Sequence, residues 1–203
     1  MKKIALTLVL ASIGFATTNV MAQESPWLVR ARIVDVDTAD KSNPVGGTGP
    51  SDLITVQKKV IPEVDFSYFI TPNIAAELIL TYPQKHDVYL SGTSIGSVKQ
   101  LPPTLTVQYH FAPTAALNPY LGVGVNYTNF SNVDLGGGTI TLDSGSFGYA
   151  LQGGVDYKLD KNWSLNLDLK YVEMRSNVYA GGATISNVQI NPLLIGVGVG
   201  YRF

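Results

Sequence analysis

The chain has 203 residues, enough for one domain, and carries 14 Lys and Arg against 15 Asp and Glu for a net charge of −1. It has no basic stripe for nucleic acid to read and no cysteine for disulfide or thiol chemistry. An exported chain built this way must hold itself together by other means.

The first 22 residues have the three parts of a secretory signal peptide: Lys2 and Lys3, the apolar run "IALTLVLASIGFA", then Val20 and Ala22 set for cleavage before Gln23. The apolar core is too short to span a bilayer comfortably, and no later apolar run has helix-spanning length. If the remaining chain enters a membrane, it enters as strands.

Alternation then recurs in eight segments, and residues two apart share a face. From Trp27 to Val36, Trp27, Val29, Ala31 and Ile33 oppose Arg30 and Arg32; from Ile54 to Phe69, Pro62, Val64, Phe66 and Tyr68 oppose Glu63, Asp65 and Ser67. The third, from Ile74 to Tyr82, sets Ala76, Leu78 and Leu80 against Glu77 and Thr81. The fourth, from Val98 to Phe111, sets Leu105, Val107 and Tyr109 against Thr104, Thr106, Gln108 and His110. In the fifth, from Pro119 to Phe130, Leu121, Val123 and Val125 oppose Gly122, Gly124 and Asn126. The sixth, from Ser146 to Leu159, opposes Phe147, Tyr149, Leu151, Val155 and Tyr157 to Gly148, Gln152, Gly154, Asp156 and Lys158. The seventh, from Trp163 to Met174, opposes Trp163, Leu165, Leu167 and Leu169 to Ser164, Asn166, Asp168 and Lys170. The eighth, from Val188 to Phe203, ends with Val197, Val199, Tyr201 and Phe203 against Gly196, Gly198, Gly200 and Arg202.

The connections alternate in length. "TPN", "APTAALN" and "DKN" are short, whereas the stretches at about 37–53, 83–97, 131–145 and 175–187 are long and rich in Gly, Ser, Asn and Asp. Short periplasmic turns, longer external loops, an apolar outward band and aromatics at its edges are the traits of outer-membrane barrels. Phe69, Phe111, Tyr157, Trp163 and Phe203, beside the short turns, are expected in one aromatic girdle. A soluble sandwich would alternate too, but its second face would be a charged, solvated one; here that face mixes Gly, Thr, Asn and Gln with few charges of both signs. Open edges are forbidden in lipid, so the expected fold is all-β, an eight-stranded antiparallel transmembrane β-barrel closed by its last strand on its first.

The segments "PEVDFSYFITPNIAAELIL", "LPPTLTVQYHF", "PYLGVGVNYT", "GGVDYKLDKNW" and the closing "GYRF" resemble, in the same order, those of the outer membrane protein W (OmpW) family, from Trp27 onward. The resemblance implies a porin-like barrel of the Gram-negative outer membrane, in contact with outer-membrane lipid and linked to passage of small hydrophobic molecules through a narrow interior. It also implies that Tyr201 and Phe203 form the terminal signal read by the outer-membrane assembly machinery. It implies no cofactor and no catalytic residue.

Gly122, Gly124, Gly148, Gly154, Gly196, Gly198 and Gly200 fall on the inner face, as candidates to line a lumen or to be packed against by larger residues of other strands. Their pairs inside strands lack the strand–turn–helix context of a nucleotide loop. The inner charges Arg30, Arg32, Glu63, Asp65, Glu77, Asp156, Lys158, Asp168 and Lys170 are expected to pair as a network bracing the barrel, with an ion-conducting constriction as the alternative. Catalysis finds no constellation: His86 beside Asp87 and His110 lie at opposite ends, and no metal-ligand spacing occurs. The expected function is to bind or admit a small hydrophobic solute; the alternative is a structural or surface-interaction barrel with a plugged lumen.

Overall fold

The computed structural model describes residues 25–203, so the expected signal peptide at residues 1–22 lies outside the described residues. Eight strands form the barrel: β1 (Trp27–Asp37), β2 (Lys59–Phe69), β3 (Ile74–Leu80), β4 (Thr104–His110), β5 (Leu117–Leu135), β6 (Gly145–Lys158), β7 (Trp163–Val172) and β8 (Leu193–Arg202). Each pairs antiparallel with its chain neighbours, and β8 closes on β1 from Leu28↔Arg202 to Asp37↔Leu193. Closure leaves no open edge in lipid, where an unpaired backbone group costs several kcal/mol.

The period-two pattern decides which face meets lipid. Leu121, Val123, Leu151, Leu167 and Val197 are each about half exposed, although all are apolar, while Arg30, Asp65, Glu77 and Gln108 on the opposite face are wholly buried. This inversion of a soluble protein identifies lipid as the outer solvent. Trp27, Tyr68, Tyr109, Phe111, Tyr157, Trp163, Tyr201 and Phe203 are aromatics facing outward near the short turns, with Trp27 packed edge-on to Tyr68 and Trp163 to Tyr201. Phe69 departs from the expected girdle. It is one residue out of phase with Tyr68 and so points inward, 4.8 Å from the His110 ring and with the Arg202 guanidinium 4.2 Å from its own.

The long connections are mostly not loops. Gln84–Leu90 pairs with Thr93–Leu101, Arg175–Ala180 pairs with Ala183–Gln189, and β5 runs on to Leu135 beside Ile140–Leu142. Ile54–Val56 and Lys41–Ser42 dock on this rim, and only the first long connection stays largely irregular. The reason is that inner Val88, Val98, Val178 and Val188 keep the strand period, with the polar residues between them facing water. Ser91-Gly92 and Gly181-Gly182 supply the positive φ angles of tight two-residue hairpin turns. Lys85 and Lys99, directly opposite each other, mark on the outside where the apolar band has ended.

A polar plug beneath an apolar chamber

Three cations and five carboxylates fill the middle of the barrel. From β1, Arg30 crosses to β6 and grips Asp156, Nε to Oδ1 at 3.1 Å and Nη2 to Oδ2 at 2.7 Å. Its Nη1 donates to Ser67 Oγ at 3.0 Å and reaches Asp65 and Glu77 at 3.2 and 3.3 Å. Arg32, one pleat outward, donates to Asn166 at 2.7 Å and Glu63 at 2.9 Å, and lies 3.0 Å from Asp65. Lys170 adds two bonds to Glu63 at 2.9 and 3.1 Å. Neutral groups take up the remaining lone pairs: Gln108 and Thr106 donate to Glu77, and Tyr120 and Gln152 donate to Asp168. Buried charge is tolerated when paired and bonded this fully, and together these side chains make one connected plug across the middle of the lumen.

Lys158, expected with these residues, stands apart at the periplasmic mouth, lining a cleft with Asp160, Asn162 and Arg202. Tyr120, Gln108, Gln152 and Asn166 share the inner face of their strands but lack charge, which is why charge alone did not single them out.

The seven inner glycines do not line a void. A side chain on Gly198 would collide with the Ala31 carbonyl oxygen, on Gly124 with that of Leu105 and on Gly148 with that of Glu173. The Tyr120 ring occupies the place beside Gly154, Gln152 that beside Gly122, Arg32 that beside Gly196, and Ser164 with Arg30 that beside Gly200. The glycines admit the neighbouring strand or the large plug side chains, which is the packing use of strand glycine.

The empty space lies further out. Above the plug, Ile54, Val56, Val88, Val98, Phe130, Leu135, Val178, Val188 and Ile190 converge from the rim hairpins into one apolar cluster. It encloses a cavity of about 30 Å³ with no polar surface in its lining, space for a water-sized guest. Val88, Leu135 and Val178 fall in the stretches read as loops and Val98, Phe130 and Val188 at the very ends of expected strands, so they were missed as a site; their alternation was the available signal.

Between chamber and plug the wall is interrupted. The β3–β4 ladder ends at Ile79↔Thr104 and the rim ladder starts at Gln84↔Gln100, leaving Leu80–Pro83 opposite Leu101–Pro103 without ladder bonds. Pro83, Pro102 and Pro103 have no N–H to continue it. The Pro103 carbonyl still accepts the Tyr127 N–H at 3.2 Å, and side chains reach the carbonyls of this stretch as well: Asn126 Nδ2 donates to Pro102 and Pro103 at 3.2 and 3.1 Å, and Gln84 Nε2 to Tyr82 at 2.9 Å. A second cavity of about 30 Å³ opens beside this break, with Ile61, Ile79, Met174 and Leu194 on its apolar side and Glu63 and Lys170 as its floor.

The two histidines do not meet. His86 bonds the Gln57 carbonyl through Nδ1 at 2.9 Å and Gln100 through Nε2 at 3.0 Å, and faces inward while Asp87 faces outward. Burial holds its imidazole below the ordinary value of 6.5. His110 sits near the periplasmic end between Phe69 and Tyr120.

A sequence model described as the OmpW family matches residues 23–203. An outer-membrane protein of Sinorhizobium fredii is 44% identical, covering 93% of this chain and 84% of that protein. Outer membrane protein W of Vibrio cholerae is 33% identical, covering 89% and 90%. The dibenzothiophene metabolism operon protein PahQ of Pseudomonas aeruginosa is 26% identical over 90% of both. The crystal structure of the outer membrane protein OprG from Pseudomonas aeruginosa superposes with a TM-score of 0.78 at 26% identity, covering 89% of this chain and 97% of that one.

Proposed function

The chain belongs to the OmpW family of outer-membrane β-barrels, and from that premise we propose that it admits small hydrophobic molecules into the apolar chamber and releases them through the wall break into the bilayer. The observation that carries this reading is the stacking of a wholly apolar chamber on a charged plug. An apolar solute gains by leaving water for the chamber, roughly 25 cal/mol for each Å² buried. It would lose by entering the plug, whose paired charges it could not replace. The interrupted ladder at Leu80–Pro83 offers the remaining way out, toward lipid. The named link of one relative to dibenzothiophene metabolism supports a solute of this class. The resting cavities are small, so entry requires the chamber side chains to move apart, which flexible Met174 at its base eases.

The test is transfer of a small apolar fluorophore into vesicles holding the folded barrel. Faster loading than empty vesicles is expected, with Val178→Asp slowing it and Asp134→Asn, on the outer surface of the rim, leaving it unchanged. Parent vesicles that load no faster than empty ones overturn the reading. The filled plug and projecting hairpins then favour the other reading, a structural or surface-interaction barrel whose rim binds partners.

A further inference from the structure

Among the described residues, three buried side-chain atoms lack a hydrogen-bond partner: Asp37 Oδ1, Asp65 Oδ2 and Gln84 Oε1. The first two have a cation beside them, Lys58 at 2.5 Å and Arg32 at 3.0 Å. No donor reaches Gln84 Oε1, although the residue is 1% exposed. Its orientation is forced, because Nε2 donates to the Tyr82 carbonyl at 2.9 Å and to Thr81 Oγ1 at 3.1 Å; turning the amide over would set two acceptors against each other. An orphaned buried acceptor has lost its bonds to water without a replacement and calls for an explanation.

Its position supplies one. Gln84 is the first residue past the wall break and lines the cavity between chamber and plug, together with apolar Ile61, Ile79 and Leu194. The other polar groups of that side are engaged: His86 between Gln57 and Gln100, and Lys170 on Glu63. Gln84 therefore brings one unused acceptor to a largely apolar side of the cavity, with Oε1 itself packed out of contact with the free volume until the side chains part.

We propose that Gln84 Oε1 is the specificity-determining contact of this cavity, selecting small apolar molecules that carry a single hydrogen-bond donor, such as a hydroxyl, as they pass from chamber to wall break. This rests on the solute reading above and deepens it. A hydroxyl donating to Oε1 satisfies the orphan while the hydrocarbon part lies against Ile61, Ile79 and Leu194. A solute of equal size without a donor leaves the acceptor bare, and sites built around an unpaired polar group reject such analogues strongly.

The experiment uses the barrel in lipid nanodiscs, titrated with 1-octanol, its isomer 1-methoxyheptane and octane, with empty nanodiscs correcting for partition into lipid. Binding is followed by amide shifts of the rim and of the Gln84 side chain. Parent protein is expected to bind 1-octanol about tenfold more tightly than the isomeric ether, the worth of one hydrogen bond that would otherwise go unmade. In Gln84→Met the two isomers should bind alike. Comparing isomers on one protein removes any general effect of losing the bonds to Thr81 and Tyr82. Should the variant fail to fold, the parent's preference decides alone. Equal binding of alcohol, ether and octane by the parent, or an unchanged preference in Gln84→Met, overturns the donor selection and leaves the solute reading standing. No binding of any of the three overturns both.

Discussion

Arg30 and Asp156 are joined by two parallel hydrogen bonds across the lumen, from β1 to β6, with the guanidinium wholly buried. Removing one partner of such a pair leaves an uncompensated charge away from water, at a cost of about 3–5 kcal/mol. Arg30→Met should lower stability by that order in urea titrations of the detergent-folded barrel. Arg30→Lys should recover little, since an ammonium cannot make the forked contact. Loss of less than about 1 kcal/mol in Arg30→Met would mean that the plug is not a brace.

Gly198 should tolerate no side chain. Its missing Cβ would occupy the place of the Ala31 carbonyl oxygen, which is backbone and cannot yield, whereas at Gly196 the nearest atom is the side-chain Cδ of Arg32 at 3.2 Å, which has only a few tenths of an ångström to give. Gly198→Ala should therefore sharply reduce the fraction that migrates as the compact form in unheated gels, and Gly196→Ala should reduce it far less. Equal folding of the two variants would remove the close strand approach as the reason for the glycine.

The rim should loosen in acid through His86. Burial lowers its folded pKa below 6.5, against the opposing pull of the Gln57 carbonyl and Asp87 and with the help of Lys59. The unfolded rim then binds the proton more readily, so the contribution to stability is present above about pH 6.5 and is lost as pH falls below it. Amide protection factors in residues 84–101, corrected for the intrinsic pH dependence of exchange, should fall between pH 7.5 and 5 in the parent and not in His86→Gln. A parent with no such dependence would contradict the buried neutral imidazole.

Phe203 ends the chain with its ring against Tyr201 at 5.1 Å and its backbone N–H on the Trp27 carbonyl at 3.3 Å. We expect deletion of Phe203 to lower the outer-membrane yield well beyond deletion of Gly137, at a rim tip, because it touches both the closing seam and the terminal pattern that assembly machinery is expected to read. Equal yields in membrane fractions would count against any such role.

Much of this molecule was legible from alternation alone. The facing of Arg30, Glu63, Glu77 and Asp168 toward the interior, and of Leu121 and Val197 toward lipid, follows from a side-chain period of two that no tertiary contact has to establish. The count of eight strands and their closure follow as well, because lipid forbids an unpaired edge. What tertiary structure decided is what occupies the interior. One glycine pattern is compatible with an open lumen or with a filled one, and only the arrival of Arg30, Arg32, Tyr120 and Gln152 from other strands settles that it is filled. The chamber was hidden for a related reason: Val88 and Val178 lie in stretches whose Gly, Ser and Asn suggested loops, Val98 and Val188 stand at the very start of expected strands, and they become a site only when four separate segments bring them together. Local periodicity determines which way a side chain points; what it meets there depends on residues far away in the chain, and that is set by packing.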